Sequence, residues 1–230
     1  LQIHPDFQSK RVRLHLYHSN HFIQYPLFMT TLASLEAYLK TFNLLNPSET
    51  KQLAGYFKPA VFQKNQIIIA EGEINSKFYF LASGLLREYS WVDQLDMPEP
   101  ISRWFTLPGK FGISAESFFH ERPSEITLDA LKKSEVFYME KEDLERAYIE
   151  IPHSNTICRI ILQETLVQHE RITSFLHIRN TQIRYEAFRK AFKDMDEQVP
   201  DKYKASFLNM SPSELSRVRR KIMENGSLID

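Results

Sequence analysis

In the stretch SFLNMSPSELSRVRRKI, residues 206–222, short hydroxyls and long guanidinium groups recur at helical spacing. At about 100° per residue, Ser213, Arg217 and Arg220 gather on one face, with Ser216 beside them and Lys221 on the flank. Leu215, Val218 and Ile222 gather opposite, a face that must be buried. The polar face suits the major groove of DNA. Arginine can hold guanine O6 and N7 with two hydrogen bonds, hydroxyls can meet base edges, and flanking cations can neutralise phosphates. The candidate contact set is Ser211, Ser213, Ser216, Arg217, Arg220 and Lys221. Arg219 lies nearer the apolar side and is expected to reach back to the sugar–phosphate backbone or an acidic neighbour. The competing reading is a solvated terminal helix, on which clustered charge is also common.

The charge distribution favours the first reading. The whole chain balances 29 basic against 29 acidic residues, so no acidic partner follows from net charge. Between Lys202 and Ile222, however, stand Lys202, Lys204, Arg217, Arg219, Arg220 and Lys221 against Glu214 alone. A basic patch on one terminal element is the local footprint of a nucleic-acid contact.

Other chemistries find little support. The single cysteine, Cys158, excludes an internal disulfide framework and an iron–sulfur cluster held by several thiolates of one chain. It reads as a small buried hydrophobe. His15, His18 and His21 recur every three residues, but no cysteine or carboxylate accompanies them, so no metal site is expected. His120 is the only histidine between Val61 and Lys141, which argues against a cupin-like metal enzyme. GKFG (109–112) lacks the glycine spacing of a phosphate loop, and no nucleophile–base pair stands out. The chain is read as a non-enzyme. No apolar run has the length that spans a bilayer, and with one cysteine the expected setting is a reducing cytoplasm.

These residues need elements to position them. TLASLEAYLKTFNLL (31–45) sets Leu32, Leu35, Leu39 and Phe42 on one helical face. Asn46, Pro47 and Glu49 then supply a cap, a first-turn proline and the far half of a capping box. From about Val61 the period changes to short β-branched and aromatic runs. Turn cues at Asn65, Gly72, Gly84, Gly109 and Pro123 separate them, the pattern of a sandwich or barrel. From Thr156 to His177, Cys158, Leu162, Thr165, His169, Ile172 and Leu176 alternate steps of four and three, a two-stranded seam. Ile157, Ile160, Ile161 and Leu166 lie off it, so this helix should bury one face on its own chain and the other on a second copy. The alternative is an ordinary core helix of a monomer. NTQIRYEAFRKAFKDMDEQVP adds one amphipathic helix stopped by Pro200. Asp201 is expected to cap a short helix, Asn209 to take the left-handed turn, and Ser211 and Glu214 to open the final helix with a capping box.

The order of these parts resembles the Crp/Fnr superfamily of bacterial transcription regulators. EGEINSKFYFLASGLLREY is similar to the family's glycine-turned hairpin, and PGKFGISAESFFHERPSEITLDALKKSEVFYMEKEDLE to its ligand-pocket segment. YKASFLNMSPSELSRVRRKI is similar to its DNA-reading unit. The resemblance implies an α+β chain: an N-terminal β-roll (a double-stranded jelly roll) with flanking helices, a long dimerisation helix and a C-terminal helix-turn-helix domain. Residues 1–28 form a leader, non-native or flexible; 29–150 the cyclic-nucleotide-binding-like sensor; 151–178 the dimerisation helix; 179–230 the DNA-binding domain. Implied partners are double-stranded DNA, a second copy through Cys158, Leu162, Thr165, His169, Ile172 and Leu176, RNA polymerase, and an unknown small-molecule effector, with no membrane. The implied ligand pocket comprises Gly112, Ser117, Ser124 and Thr127.

The sequence departs from the family where cyclic nucleotides are held. The Gly-Glu pair reads Gly112-Ile113, and Ser124, Glu125 and Ile126 stand where an Arg-Ser/Thr-Ala run is expected. Without that arginine a buried phosphate lacks its ionic partner. Cyclic AMP is therefore not the expected effector. The wing hairpin before the DNA-reading helices is also expected to be absent. The alternative function is a β-roll sensor or protein-interaction module without sequence-specific DNA binding.

Overall fold

The computed structural model describes residues 32–92 and 99–225. The leader and its histidines lie outside the described residues. Helix α1 (Leu32–Lys40) is shorter than the 31–45 reading and buries Leu35 and Leu39, while Leu32 stays exposed. Helix α2 (Pro47–Gly55) starts as its sequence requires. The Asn46 side chain accepts from the Ser48 and Glu49 amides, and the Glu49 carboxylate accepts from the Asn46 amide.

The strands are β1 (Lys58–Phe62), β2 (Ile67–Ile69), β3 (Lys77–Ser83), β4 (Leu86–Val92), β5 (Glu99–Thr106), β6 (Phe111–Gly112), β7 (Thr127–Ala130) and β8 (Ser134–Glu140). They form two antiparallel four-stranded sheets, ordered β1-β8-β3-β6 and β2-β7-β4-β5. The left-handed turns fall where the sequence marked them, at Asn65, Gly72, Gly84 and Gly109. Gly84 admits no side chain, because a Cβ there would lie 2.6 Å from the Ser134 Cα.

Strand alternation separates three apolar layers. Between the sheets lie Ile69, Tyr79, Leu81, Leu86, Leu128, Ala130 and Val136. On the outer face of the first sheet, Phe80, Phe137 and Met139 pack against α1, α2 and α4 (Lys141–Glu150). On the outer face of the second, Leu85 and Phe105 pack against the C-terminal helices. Helix α3 (Ala115–His120) adds Phe118 to the first-sheet layer, its ring edge-on to Phe78 at 5.5 Å.

Helix α5 (Ser154–Leu176) bridges the outer layers. Ile157 and Ile161 join the first-sheet layer, whereas Ile172, Phe175 and Leu176 join the C-terminal one. The expected seam is therefore corrected: Ile172 is 6% exposed and, with Leu176, is turned into its own chain. The open apolar side chains of α5 are Leu162, Leu166 and Val167, two of them off the seam. Cys158 is partly buried, and a hydrogen bond with Tyr148 accompanies it.

Beyond α5 the single expected helix is two, α6 (Thr181–Ala191) and α7 (Lys193–Gln198). Phe192 leaves helical geometry between them and places its ring against Trp104, Phe175 and Phe188. Helices α8 (Asp201–Phe207) and α9 (Pro212–Asn225) complete the described chain.

Candidate nucleic-acid interface and ligand pocket

The α8–α9 pair is built around a tight turn. Asn209 has φ 51°, and the Met210 amide donates back to the Ala205 carbonyl at 3.0 Å. Such a left-handed residue with a six-to-one bond ends a helix abruptly. Ala205 is fully buried, which lets α9 cross closely over α8. Arg184 of α6 fastens the turn from below, donating to the Asn209 carbonyl at 3.1 Å and to the Ile178 carbonyl at 2.8 Å. Ser211 and Glu214 form the capping box: the Glu214 amide donates to the Ser211 hydroxyl, and the Ser211 amide donates to the Glu214 carboxylate at 2.8 Å. The Ser211 amide and hydroxyl together hold the Glu214 carboxyl below the usual carboxylate range.

The faces of α9 separate as the wheel requires. Leu215 and Val218 are buried and Ile222 packs beside them. Ser211, Ser213, Ser216, Arg217, Arg220 and Lys221 are all exposed. Arg217 is exposed and makes one long contact, Nε to the Ser213 carbonyl at 3.4 Å, and its terminal nitrogens have no bonded partner among the described residues.

The basic patch is smaller than the sequence suggests. Lys204 is 1% exposed and pairs with Asp196 at 2.7 Å, also donating to the Asp196 carbonyl. Arg219 donates to the Tyr185 hydroxyl at 2.9 Å and to Asp201 at 2.5 Å. Of the two roles expected for Arg219, the acidic neighbour is the one it takes. Asp201 makes no capping bond at the start of α8, because its carboxylate serves Arg219 and Lys204 instead. The cations left open are Lys202, Arg217, Arg220 and Lys221. Asp196 and Arg184 were not marked by the sequence, and Lys204 was counted there with the open basic patch, whereas its amine is buried on Asp196. An unbroken charge in a helix with Ala205 and Phe207 was the available signal for Lys204.

A second set of contacts ties this unit to the roll. Arg87 on β4 forms a buried two-point pair with Asp129 on β7, at 3.1 and 2.6 Å. Its guanidinium lies 4.1 Å from the Tyr89 ring centre and 4.4 Å from that of Tyr203 on α8. The Ser102 amide donates to Ser206 at 3.0 Å, and the Phe105 and Phe207 rings meet edge-on at 5.5 Å.

The expected pocket residues are all buried, and their hydroxyls are occupied by the chain itself. Ser124 Oγ lies 2.8 Å from Ser114 Oγ and donates to the Ile126 carbonyl at 2.7 Å. Ser117 accepts from the Asn75 amide at 2.6 Å, and Thr127 from the Glu71 amide at 3.3 Å. Gly112 abuts Thr106 and Leu128. Arg122 stands outside on the surface, paired with Glu116 at 3.0 Å. Among the described residues no cluster of three or more His, Cys, Asp or Glu is placed to hold a metal, and no helix is long and apolar enough to cross a membrane.

The roll and its flanking helices define a cyclic nucleotide-binding type of domain, and residues 59–150 match the family described as the cyclic nucleotide-binding domain. The whole architecture is similar to CooA from Carboxydothermus hydrogenoformans, at TM-score 0.63 and 14% identity, covering 81% of this chain and 84% of that one. It is similar to the c-di-GMP-responsive global regulator CLP of Xanthomonas campestris, at 0.60 and 14%, covering 79% and 93%. It is also similar to a proposed Crp/Fnr-family transcriptional regulator of Eubacterium rectale, at 0.59 and 15%, covering 83% and 89%. No curated protein matches the chain in sequence. The family match covers the roll and α4, and the solved structures share the fold.

Proposed function

We propose that the chain is a DNA-binding transcription regulator that acts as a homodimer on a near-palindromic site and is not an enzyme. The observation that carries this reading is the open face of α9. Ser213, Ser216, Arg217 and Arg220 are exposed on a helix whose opposite face and flanking charges are fixed from beneath. Arg217 reads a base edge, with Ser213, Ser216 and Arg220 beside it; Ser211 and Lys221 contact phosphates. The second copy docks on α5 at Leu162, Leu166 and Val167, flanked by Thr165 and His169. The roll is the sensor and RNA polymerase the downstream partner. Its effector is not a cyclic nucleotide, because the Ser114–Ser124 pair stands where a phosphate-binding arginine is needed.

Selection from a random DNA pool by the purified chain, with Arg217→Ala in parallel, tests the reading. Enrichment of a two-fold site with half-sites about one helical turn apart is expected, and its loss in the variant. A folded dimer that enriches nothing would instead favour an interaction module.

A further inference from the structure

Alternation along β4 sends Arg87 and Tyr89 to the face that α8 covers. Leu86 and Glu88 take the other face, where burial pushes the Glu88 carboxyl up to about 8. Arg87 is buried, and its place is set from within the sheet. Its Nε and one terminal nitrogen donate to the two oxygens of Asp129, its partner across the ladder on β7. Two such parallel bonds fix the plane of a guanidinium as well as its position. The Tyr89 ring lies against this fixed cation at 4.1 Å, and the Tyr203 ring of α8 at 4.4 Å. The cation is thus anchored in the roll, and it is α8 that comes to it.

Much of the remaining contact between the roll and the α8–α9 unit is of a different kind. Leu85, Phe105 and Leu131 share one core with Phe207, Leu208 and Leu215. Apolar burial is non-directional, so it holds two surfaces together more than it fixes their angle. Two directional contacts supply what the core lacks. One is the Arg87 cation over Tyr203, in the first turn of α8. The other is the Ser206 hydroxyl near the end of the same helix. It accepts from the Ser102 amide at 3.0 Å and donates to the Pro100 carbonyl at 3.4 Å, both on β5, the last strand of its sheet. Residues three apart share a helix face, so Tyr203 and Ser206 pin one side of α8 at both ends.

We propose that Arg87 is a positioning residue for DNA recognition: through Tyr203 it fixes the angle of α9 on the roll, and so the spacing at which two copies accept half-sites. The inference deepens the reading of the chain as a dimeric DNA-binding regulator and rests on it. In such a dimer each α9 is carried by a roll joined to the other copy through α5. The separation and tilt of the two reading helices then follow from how α8 is seated on β4 and β5. Arg87 acts without touching DNA, because its guanidinium is buried on Asp129 beneath α8.

Two measurements on the full chain test this, one without DNA and one with it. The variant is Tyr203→Leu, which removes the ring and leaves the Arg87–Asp129 pair intact; Tyr203→Phe keeps the ring and is the rescue. Without DNA, hydrogen exchange at the Ser102 amide reports the seating of α8. It should quicken about tenfold in Tyr203→Leu, with the amides of β3 and β8 exchanging as before, and stay unchanged in Tyr203→Phe. With DNA, random-pool selection by the unsubstituted chain should return its half-sites at one spacing. Tyr203→Leu should return the same half-site sequence at several spacings, and Tyr203→Phe the original pattern. Equal quickening throughout the roll would mean a merely stabilising contact and would overturn the proposal. So would an unchanged Ser102 amide, or a single unchanged spacing, in Tyr203→Leu. If the unsubstituted chain enriches no DNA, the underlying reading fails and the proposal with it, an outcome distinct from enrichment that the variant leaves unaltered.

Discussion

Two serine-bearing regions of the molecule put the same hydroxyl groups to opposite uses. At the start of α9, Ser213 and Ser216 are exposed beside the Arg217 and Arg220 guanidinium groups, which make no ion pair among the described residues, and Ser213 shares an exposed hydrogen bond with Ser211. In the roll, Ser114, Ser117 and Ser124 are buried and bonded within the chain. Hydrogen bonds already made inside the protein contribute to its stability but are not available to a partner. Residue type alone therefore does not mark a recognition site; availability does. The same contrast divides the cations, with Arg217 and Arg220 open and Lys204 and Arg219 engaged with Asp196 and Asp201.

The comparison can be broken most forcefully at Lys204. Removing one partner of a buried ion pair strands the other, so Lys204→Ala should lower stability by about 3–5 kcal/mol, read by urea denaturation. Unchanged stability would mean that the supporting charges under α9 do not hold it. The next pair of variants sharpens the contrast directly. Arg217→Ala should cost about 1–3 kcal/mol at the specific DNA site and relax its sequence preference, with unfolding unchanged. Ser124→Ala should do the reverse, costing about 1–3 kcal/mol of stability through the groups it leaves unbonded, with DNA preference unchanged. If both variants shifted the same observable, the division between reading and supporting hydroxyls would fail.

A pH scan separates the unspent carboxyl from the spent hydroxyls. The Glu88 carboxyl is raised to about 8 in the folded chain, so its protonated form favours folding. That contribution is complete below the ordinary glutamate range and is lost as pH rises through about 8. Melting temperature should therefore fall between about pH 5 and pH 9, and Glu88→Gln should flatten the fall. An identical profile in the variant would remove Glu88 from the account. The smallest effect is expected at Lys221, where substitution by alanine should weaken binding to all sequences alike and reduce the salt slope by about one.

Much of the α8–α9 unit was legible because its determinants are local. Asn209 in the turn, the Ser211–Glu214 box and the two faces of α9 each depend on residues a few positions apart. The turns of the roll were legible for the same reason. The seam on α5 was not, because its regular spacing gives no sign that Ile172 and Leu176 meet the C-terminal core while Leu166 stays open. The break at Phe192 was hidden likewise, since the rings that draw its side chain aside come from Trp104 and Phe175. Gly112, Ser117, Ser124 and Thr127 were expected to line a ligand pocket, and nothing in their spacing showed that the hydroxyls bond to Asn75, Ser114, Ile126 and Glu71.

The sequence by itself therefore determined where the helices cap, where the chain turns, and which face of the last helix is polar, since short-range hydrogen bonds and side-chain periodicity decide these. Only the tertiary structure decided which charges remain available. Arg219 meets Tyr185 across 34 positions and Arg87 meets Asp129 across 42, whereas Glu88 has no hydrogen-bond partner among the described residues. Whether a polar group is satisfied depends on residues brought beside it by packing, and a linear pattern carries no record of them.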